Sequence, residues 1–213
     1  MIALTFDTET TGLPIGRPDT NETHLWPHVV QLSYCLYDTD ANKLIATVNQ
    51  IVRIADDIEL PQEAVDVHGI TRERSKAEGV HIKHALHKFR KYAAMADCLV
   101  AHNLQFDFKM LTVESLRWGV ESTFRPQMPQ YCTMNKGRDT CAITRISKFN
   151  GKEYYKMPTL TELHHKLFGT DPKGVHDAMV DVLVCLRCYT RIRHSIDDLC
   201  ISCPEIGAMY CAI

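Results

Sequence analysis

The segment "LTFDTETTG", residues 4–12, begins as an apolar strand and ends with two carboxylates, Asp7 and Glu9. Side chains alternate between the two faces of an extended chain, so residues two positions apart point the same way. We therefore expect Asp7 and Glu9 to lie side by side. Like charges at that distance repel, and a low-dielectric environment strengthens the repulsion. The pair therefore needs a neutralising partner.

Composition indicates one globular α/β domain that works inside a cell. The chain has 213 residues, of which 45% are hydrophobic and 23% charged, and its net charge is −2. This is enough apolar material for a sizeable core. The nine cysteines are odd in number and irregularly spaced, which predicts reduced thiols rather than a disulfide framework. The N-terminus lacks the pattern of a signal peptide, and no apolar run is long enough to span a membrane. We expect a cytoplasmic, nucleoid or nuclear location and no secretion.

The order of predicted elements favours a mixed sheet flanked by helices. Apolar runs predict strands, and periodicity with a T-x-x-E capping box predicts helices. Residues 120–157 look irregular, with a hairpin around Asn150-Gly151. We expect residues 1–194 to form one domain and residues 195–213 to be a tail packed on it or extending from it. The strands are predicted at 2–6, 29–38, 44–54 and 98–101, and the helices at 81–96, after residue 103, at 159–169 and at 177–193.

Two further acids occur in apolar surroundings. Asp107 lies between Phe106 and Phe108, and Asp181 lies in the apolar run "MVDVLV", residues 179–184. An acid in such surroundings is paired with a base or bound to a metal. No neighbouring Lys or Arg is an obvious partner for either acid. Four converging carboxylates would suit two hard divalent ions.

A histidine precedes the last of these acids. His176 lies five residues before Asp181, about 500° of helical rotation, so the two would not share a helix face. His176 can join Asp181 only from the helix start or from the preceding loop, where a histidine would suit proton transfer. Asp177 competes with Asp181 for the ligand position, because residues four apart do share a face. Spacing alone leaves this choice open.

Four motifs, taken together, resemble one family of nucleases. They are "FDTETTGLP" at 6–14, "VHGIT" at 67–71, "AHNLQFDFKML" at 101–111 and "HDAMVD" at 176–181. In this order they resemble the DnaQ-like exonucleases of the DEDDh subgroup, which includes the epsilon proofreading subunit of bacterial DNA polymerase III. The resemblance implies a ribonuclease H-like fold, in which helices flank a mixed central sheet.

The resemblance also implies an activity and assigns residues to it. The activity is 3′–5′ exonucleolytic hydrolysis that releases nucleoside 5′-monophosphates by a two-metal-ion mechanism, with Mg²⁺ or Mn²⁺ as cofactors. His176 would be the general base, and Asp177 would occupy a variable position of its motif. The carboxylates of the metal site would be Asp7, Glu9, Asp107 and Asp181. The residues beside the terminal nucleotide would be Thr10, Leu13, Val67, His68, Asn103 and Phe106.

The motif "VHGIT" is nearer to the proofreading branch than to oligoribonucleases, which favours DNA. The expected partner is the 3′ end of single-stranded DNA, with RNA and a DNA polymerase as further partners and no membrane. Two alternatives remain: an RNA-trimming exoribonuclease on the same scaffold, and a non-catalytic module that binds a polymerase or nucleic acid. The presence of all four acids and the histidine argues against the second.

Two other features have no assigned role. Residues 136–156 hold six Lys or Arg residues with Tyr154 and Tyr155, which predicts either a solvated surface or an arm that contacts substrate. His164 and His165 are interpreted as solvated helix positions.

Overall fold

The first strand, β1 (Ile2–Thr10), lies at the centre of a five-stranded sheet in the computed structural model, which describes residues 1–211. The strand order is β3-β2-β1-β4-β5. β2 is antiparallel to β1 and to β3, whereas β4 and β5 run parallel to β1. The expected mixed sheet is therefore confirmed. The other strands are β2 (Val29–Asp38), β3 (Lys43–Ile51), β4 (Cys98–Ala101) and β5 (Gln130–Cys132).

Helices cover both faces of this sheet. One face packs α3 and α4 against Leu4 and Phe6 of β1, and the other packs α7 and α9 against Ala3. No helix within residues 1–211 has the length and apolar character needed to cross a membrane. The helices are α1 (Gln62–His68), α2 (Arg72–Glu78), α3 (Ile82–Ala93), α4 (Leu104–Trp118), α5 (Thr133–Cys141), α6 (Leu160–Phe168), α7 (Ala178–His194), α8 (Leu199–Ser202) and α9 (Pro204–Cys211).

The segment expected to be irregular contains regular structure. It holds β5, α5 and a hairpin of two short strands, β6 (Thr144–Ile146) and β7 (Glu153–Tyr155). The predicted hairpin is therefore present, but β5 and α5 were missed. α5 has the sequence "TMNKGRDTC", which has no clear apolar period. Packing stabilises it: a Cβ atom on Gly137 would lie 2.6 Å from the side chain of Leu163, so α5 and α6 approach closely.

The residues after 194 pack on the sheet. Leu199, Cys203 and Ile206 are fully buried against Ala3 and Tyr37. A division into domain and tail at residue 194 stays a prediction. The last two residues of the tail, 212 and 213, lie outside the described residues.

The interpretation of His164 as a solvated position was wrong. His164 is buried, and its ring nitrogens contact the carbonyl oxygen of Thr170, the guanidinium of Arg187 and the hydroxyl of Tyr210. The adjacent His165 is exposed beside Asp171.

Candidate active site

Asp7 and Glu9 lie near the carboxyl end of β1, where the parallel neighbour β4 no longer accompanies it. β4 pairs with β1 only at Ala3, Leu4 and Thr5, so the last residues of β1 have no strand neighbour on that side. The two carboxylates are half-buried and follow the alternation expected of a strand. The side-by-side arrangement places two acids at one edge of the sheet.

Asp181 reaches the same place from α7. It lies in the first turn of this helix, which packs against β1. Carboxylate oxygens of Asp7, Glu9 and Asp181 all lie within 4.8 Å of one another. Asp181 Oδ1 is buried and has no hydrogen-bond partner among the described residues. An unpaired buried oxygen is costly to desolvate, so this group needs a partner that the protein does not provide.

The acids raise one another's pKa values. Burial, followed by the charges of Asp107 and Asp181, raises the pKa of Asp7 well above its ordinary value. Burial and the charge of Asp181 raise the pKa of Glu9 to about 8. Burial also raises the pKa of Asp181 to about 6. Without a cation, the three carboxylates therefore do not all ionise at neutral pH.

Asp107 adds a fourth acid from the first turn of α4. It is buried, and its Oδ1 accepts hydrogen bonds from the backbone N–H of Thr8 at 2.9 Å and from the Thr8 hydroxyl at 2.7 Å. Burial raises the pKa of Asp107 to about 7, and the bonds from Thr8 oppose this rise. Its charge raises the pKa values of Asp7 and Glu9, so it acts on the same site.

The structure distinguishes Asp177 from Asp181. Asp177 is the N-cap of α7, where its Oδ1 accepts hydrogen bonds from the N–H groups of Met179 and Val180. Its Oδ2 accepts a bond from the side-chain amide of Gln31. Asp181 instead faces Asp7 and Glu9. Helix capping therefore occupies Asp177, and Asp181 supplies the converging carboxylate.

His176 lies in the loop just before α7. Its backbone N–H is 3.4 Å from Asp181 Oδ2, and its imidazole is exposed. The residue has a φ of 77°, a left-handed conformation that is uncommon outside glycine. This backbone turn places the histidine beside Asp181 without a shared helix face.

The residues expected to contact substrate differ in accessibility. Leu13 is 80% exposed and Val67 is 53% exposed, so both offer apolar surface to a ligand. Asn103 is exposed and Phe106 is half-buried against the core. By contrast, Thr10 and His68 are buried. Thr10 donates its hydroxyl proton to the carbonyl of Gly12, and His68 Nδ1 accepts a bond from the N–H of Ile70. These contacts indicate that Thr10 and His68 shape the backbone around the site.

Sequence reasoning missed two residues that organise the site. Thr8 fixes Asp107, although its position between two acids gave no signal of this contact. Gln31 lies opposite Glu9 in β2 and contacts Asp177 and the N–H of Ala178, which anchors the start of α7. A buried glutamine within the apolar run "VVQLSYCLY" is the signal that could have identified it.

The donor set fits a hard divalent cation. Such ions take oxygen ligands and favour carboxylates. Asp7, Glu9 and Asp181 supply converging oxygens, and one oxygen of Asp181 has no other partner among residues 1–211. The raised pKa values mark the electrostatic cost that a cation would remove.

Several solved structures share this fold. An E. coli exonuclease I–single-stranded DNA complex with bound zinc is 16% identical, with a TM-score of 0.66 over 98% of this chain. An E. coli exonuclease I complex with a 5cy-dT13 oligonucleotide is 16% identical, with a TM-score of 0.64 over 98% of this chain. Exonuclease I from Methylocaldum szegediense is 18% identical, with a TM-score of 0.64 over 94% of this chain. The chain spans 42% of the length of each. At these identities the likeness shows the fold.

A comparison with curated proteins found no match. The family model RNase_T, described as an exonuclease, matches residues 4–189. This range contains all four acids described above as well as His176. The chain therefore belongs to the RNase_T exonuclease family.

Proposed function

We propose that this exonuclease removes nucleotides from the 3′ end of single-stranded DNA and releases nucleoside 5′-monophosphates. The observation that carries the proposal is the convergence of Asp7, Glu9 and Asp181 within 4.8 Å at the edge of the sheet. Such a cluster is costly in a folded protein unless cations neutralise it. Members of this family use divalent metal ions.

Asp7, Glu9, Asp107 and Asp181 would hold two divalent cations, Mg²⁺ or Mn²⁺. When bound, such ions lower the pKa of the attacking water and stabilise charge on the scissile phosphate and leaving oxygen. Thr8 contributes indirectly, because its two hydrogen bonds favour the ionised form of Asp107. The presence of all four acids favours catalysis over a role as a non-catalytic module.

His176 is proposed as the general base that accepts a proton from the attacking water. Its imidazole is exposed, and its backbone N–H lies next to Asp181. A histidine changes charge near neutral pH, which suits proton transfer under physiological conditions. The converging oxygens come from Asp7, Glu9 and Asp181, so His176 is proposed as a base beside the metal site and not as a metal ligand.

Exposed apolar side chains are suited to hold the terminal nucleotide. Leu13 and Val67 project into solvent, and Asn103 and Phe106 begin the helix that carries Asp107. The single-stranded DNA bound by the exonuclease I structures supports DNA as the substrate class. A closer relationship to the epsilon branch, and a polymerase partner, stay predictions.

Digestion of 5′-labelled single-stranded DNA tests direction and metal dependence together. Removal of nucleotides from the 3′ end produces a ladder of shortening labelled strands, whereas digestion from the 5′ end releases the label at once. EDTA should abolish hydrolysis, and Mg²⁺ or Mn²⁺ should restore it. Asp7→Asn should lose several orders of magnitude in rate, whereas Asp56→Asn, at an exposed acid paired with Lys76, should not.

Parallel digestion of RNA and of mismatched duplex DNA measures the substrate preference. Faster hydrolysis of RNA would replace DNA in the proposal. Full activity in EDTA, or immediate release of the 5′ label, would contradict the proposed reaction.

A further inference from the structure

The hairpin β6–β7 is a well-formed projection of the chain. Ser147 donates its N–H to the carbonyl of Lys152, and Gly151 donates its N–H to the carbonyl of Ser147, both at 2.9 Å. Gly151 has a φ of 66°, which glycine adopts without steric cost. The side chain of Asn150 accepts a further bond from the N–H of Lys152. The turn is therefore fixed by its own contacts.

The strand register separates charge between the two faces of the hairpin. Arg145 lies directly opposite Tyr154, and Ile146 lies opposite Glu153. The register continues to the bonded pair of Ser147 and Lys152, so alternation places Lys152 on the same face as Arg145 and Tyr154. This face, which we call the basic face, carries two cations and a tyrosine. The acidic Glu153 lies on the other face.

The cations of this hairpin have no acidic partners within the described residues. Arg145, Lys148 and Lys152 are exposed, and none forms a salt bridge with any residue in the range 1–211. Other cations near the hairpin differ, because Lys156 binds the carboxylate of Glu162 and Arg138 binds Asp139. The hairpin thus presents uncompensated positive charge in a chain of net charge −2.

Aromatic side chains accompany these cations. Tyr154, on the basic face, is 51% exposed, and Phe149, at the turn, is 98% exposed. Exposed aromatic rings interleaved with cations are the features by which proteins hold single strands, since bases stack on the rings and phosphates contact the cations.

The hairpin is attached at the edge of the sheet that carries the acids. His102 follows β4 directly, and its Nε2 lies 3.1 Å from the carbonyl oxygen of Pro158, three residues after β7. Its Nδ1 lies 3.0 Å from the hydroxyl of Thr133, at the start of α5. β4 and β1 run parallel, so their carboxyl ends share this edge. The chain that follows the hairpin and the start of α5, which precedes it, are therefore both held by His102, next to the helix that carries Asp107.

We propose that the basic face of the hairpin, formed by Arg145, Lys152 and Tyr154, binds a single-stranded substrate upstream of the scissile 3′ nucleotide. Arg145 and Lys152 contact phosphates, and Tyr154 stacks on a base. This inference rests on the proposed exonuclease function, whose active site it extends. It implies that affinity for long strands is set partly outside the carboxylate site.

Binding of single-stranded oligothymidine at several salt concentrations tests the proposal. The measurement uses an Asp7→Asn background, so that the strand is not degraded. Each lost phosphate contact reduces the slope of log K against log salt by about 0.7 on single strands. Arg145→Ala/Lys152→Ala should therefore flatten the slope by about 1.4. Tyr154→Ala should weaken binding by about fivefold or more, and Tyr154→Phe should retain affinity.

The matched control removes two cations from the opposite edge of the sheet. Lys43 begins β3, which runs in the same direction as β1, so it lies at the edge where β1 starts. Lys91 lies in the last turn of α3, which leads to the start of β4 at the same edge. Both are exposed. Lys43→Ala/Lys91→Ala makes the same change in net charge and should leave the salt slope unaltered.

Hydrolysis of the p-nitrophenyl ester of thymidine 5′-monophosphate separates this proposal from the proposed function. This substrate has one nucleotide and cannot reach the hairpin, so the hairpin variants, with Asp7 intact, should hydrolyse it at the wild-type rate. An unaltered salt slope in Arg145→Ala/Lys152→Ala, or an equal change in the control variant, overturns the hairpin proposal alone. If the wild-type protein hydrolyses neither the ester nor the oligonucleotide, the proposed function is overturned.

Discussion

Thr8 donates two hydrogen bonds to a single oxygen of Asp107, one from its backbone N–H and one from its hydroxyl. Thr8 stands between Asp7 and Glu9 in β1, so the strand that supplies two acids also orients a third. The parallel neighbour β4 pairs with β1 only as far as Thr5, which leaves the N–H of Thr8 free for the carboxylate on α4. This contact connects the central strand to the helix that follows β4.

Replacement of Thr8 by valine should weaken metal binding. Valine has the shape of threonine without the hydroxyl, so Asp107 would lose one of two bonds that favour its ionised form. A hydrogen bond to a charged group is worth about 1.5–3 kcal/mol. Calorimetric titration with Mn²⁺ should show lower affinity for Thr8→Val, whereas Thr8→Ser keeps the hydroxyl and should bind normally. Equal affinities for both variants would exclude a role for this hydroxyl.

Asp177 and Asp181 should differ sharply in their effect on activity. Asp181→Asn removes a converging carboxylate and should reduce hydrolysis by several orders of magnitude. Asp177→Ala removes the N-cap of α7, which should cost about 1 kcal/mol of unfolding free energy while much of the activity remains. Chemical denaturation and single-turnover digestion measure the two effects. A severe loss of rate in Asp177→Ala with an intact fold would give Asp177 a direct part in the site.

His176→Asn should separate proton transfer from metal binding. Asparagine tolerates the left-handed backbone at this position but lacks a base. Turnover should fall by about 10² to 10⁴, as for loss of a general base, while Mn²⁺ affinity remains near normal. Calorimetry and rapid-quench digestion give the two values. Loss of the metal site in this variant would show that His176 is a ligand.

The metal-free protein should become less stable as the pH rises from 6.5 to 8. The folded state raises the pKa of Glu9 to about 8 and that of Asp107 to about 7, so it holds protons that the unfolded chain has released. Each such proton lowers the unfolding free energy by about 1.4 kcal/mol per pH unit. Denaturation in EDTA measures the trend. Burial lowers the pKa of His102 to about 4. Such a histidine increases stability as the pH rises, but only below its ordinary pKa of about 6.5, outside this window.

Glu9→Gln provides the comparison for this pH dependence. The variant lacks one of the titrating acids, so its stability should vary less with pH in the same window. Saturating Mg²⁺ should stabilise the wild-type protein more at pH 8 than at pH 6.5, because the ion replaces protons that the acids release. A pH-independent stability of the wild type in EDTA would contradict the coupling of these carboxylates.

Arg117→Met should destabilise the protein strongly through its effect on Glu114. The largely buried Arg117 pairs with the buried Glu114 at 2.9 Å and also donates hydrogen bonds to the carbonyls of Thr23, Trp26 and Pro27. Removal of one partner of a buried pair costs about 3–5 kcal/mol.

Urea denaturation measures this loss. Arg90→Met breaks an exposed pair with Glu121 and should cost less than about 1 kcal/mol. The double variant Glu114→Gln/Arg117→Met should recover part of the stability, because no uncompensated charge then remains. A small loss in Arg117→Met would show that Glu114 does not need this partner.

Local sequence patterns predicted much of the fold. Residues 29–38 and 98–101 form strands at the predicted bounds, because continuous apolar runs of this length fit buried strands. The T-x-x-E signal at Thr159 forms the predicted capping box with Glu162. Alternation also predicted that Asp7 and Glu9 share a side of β1, since two-residue periodicity is a property of the strand itself.

Features that depend on distant contacts were not predictable in this way. α5 depends on the close approach of Gly137 to Leu163, and His164 is buried by Arg187 and Tyr210, which lie far along the chain. The choice between Asp177 and Asp181 was open because both fit the same helical period. In the structure Asp177 caps α7 and Asp181 faces Asp7 and Glu9, an arrangement that depends on where α7 begins.

The packing of α7 and α9 on β1 has a consequence for synthesis of the protein. The face of the sheet that holds Ala3 and Tyr37 is covered by residues as late as Ile206, so a nascent chain exposes this apolar surface until most of the sequence has left the ribosome. Asp181 arrives on the same late helix. On the ribosome, the growing chain therefore lacks the complete set of acids. The cluster of acids is assembled only when the second layer of helices closes over the sheet.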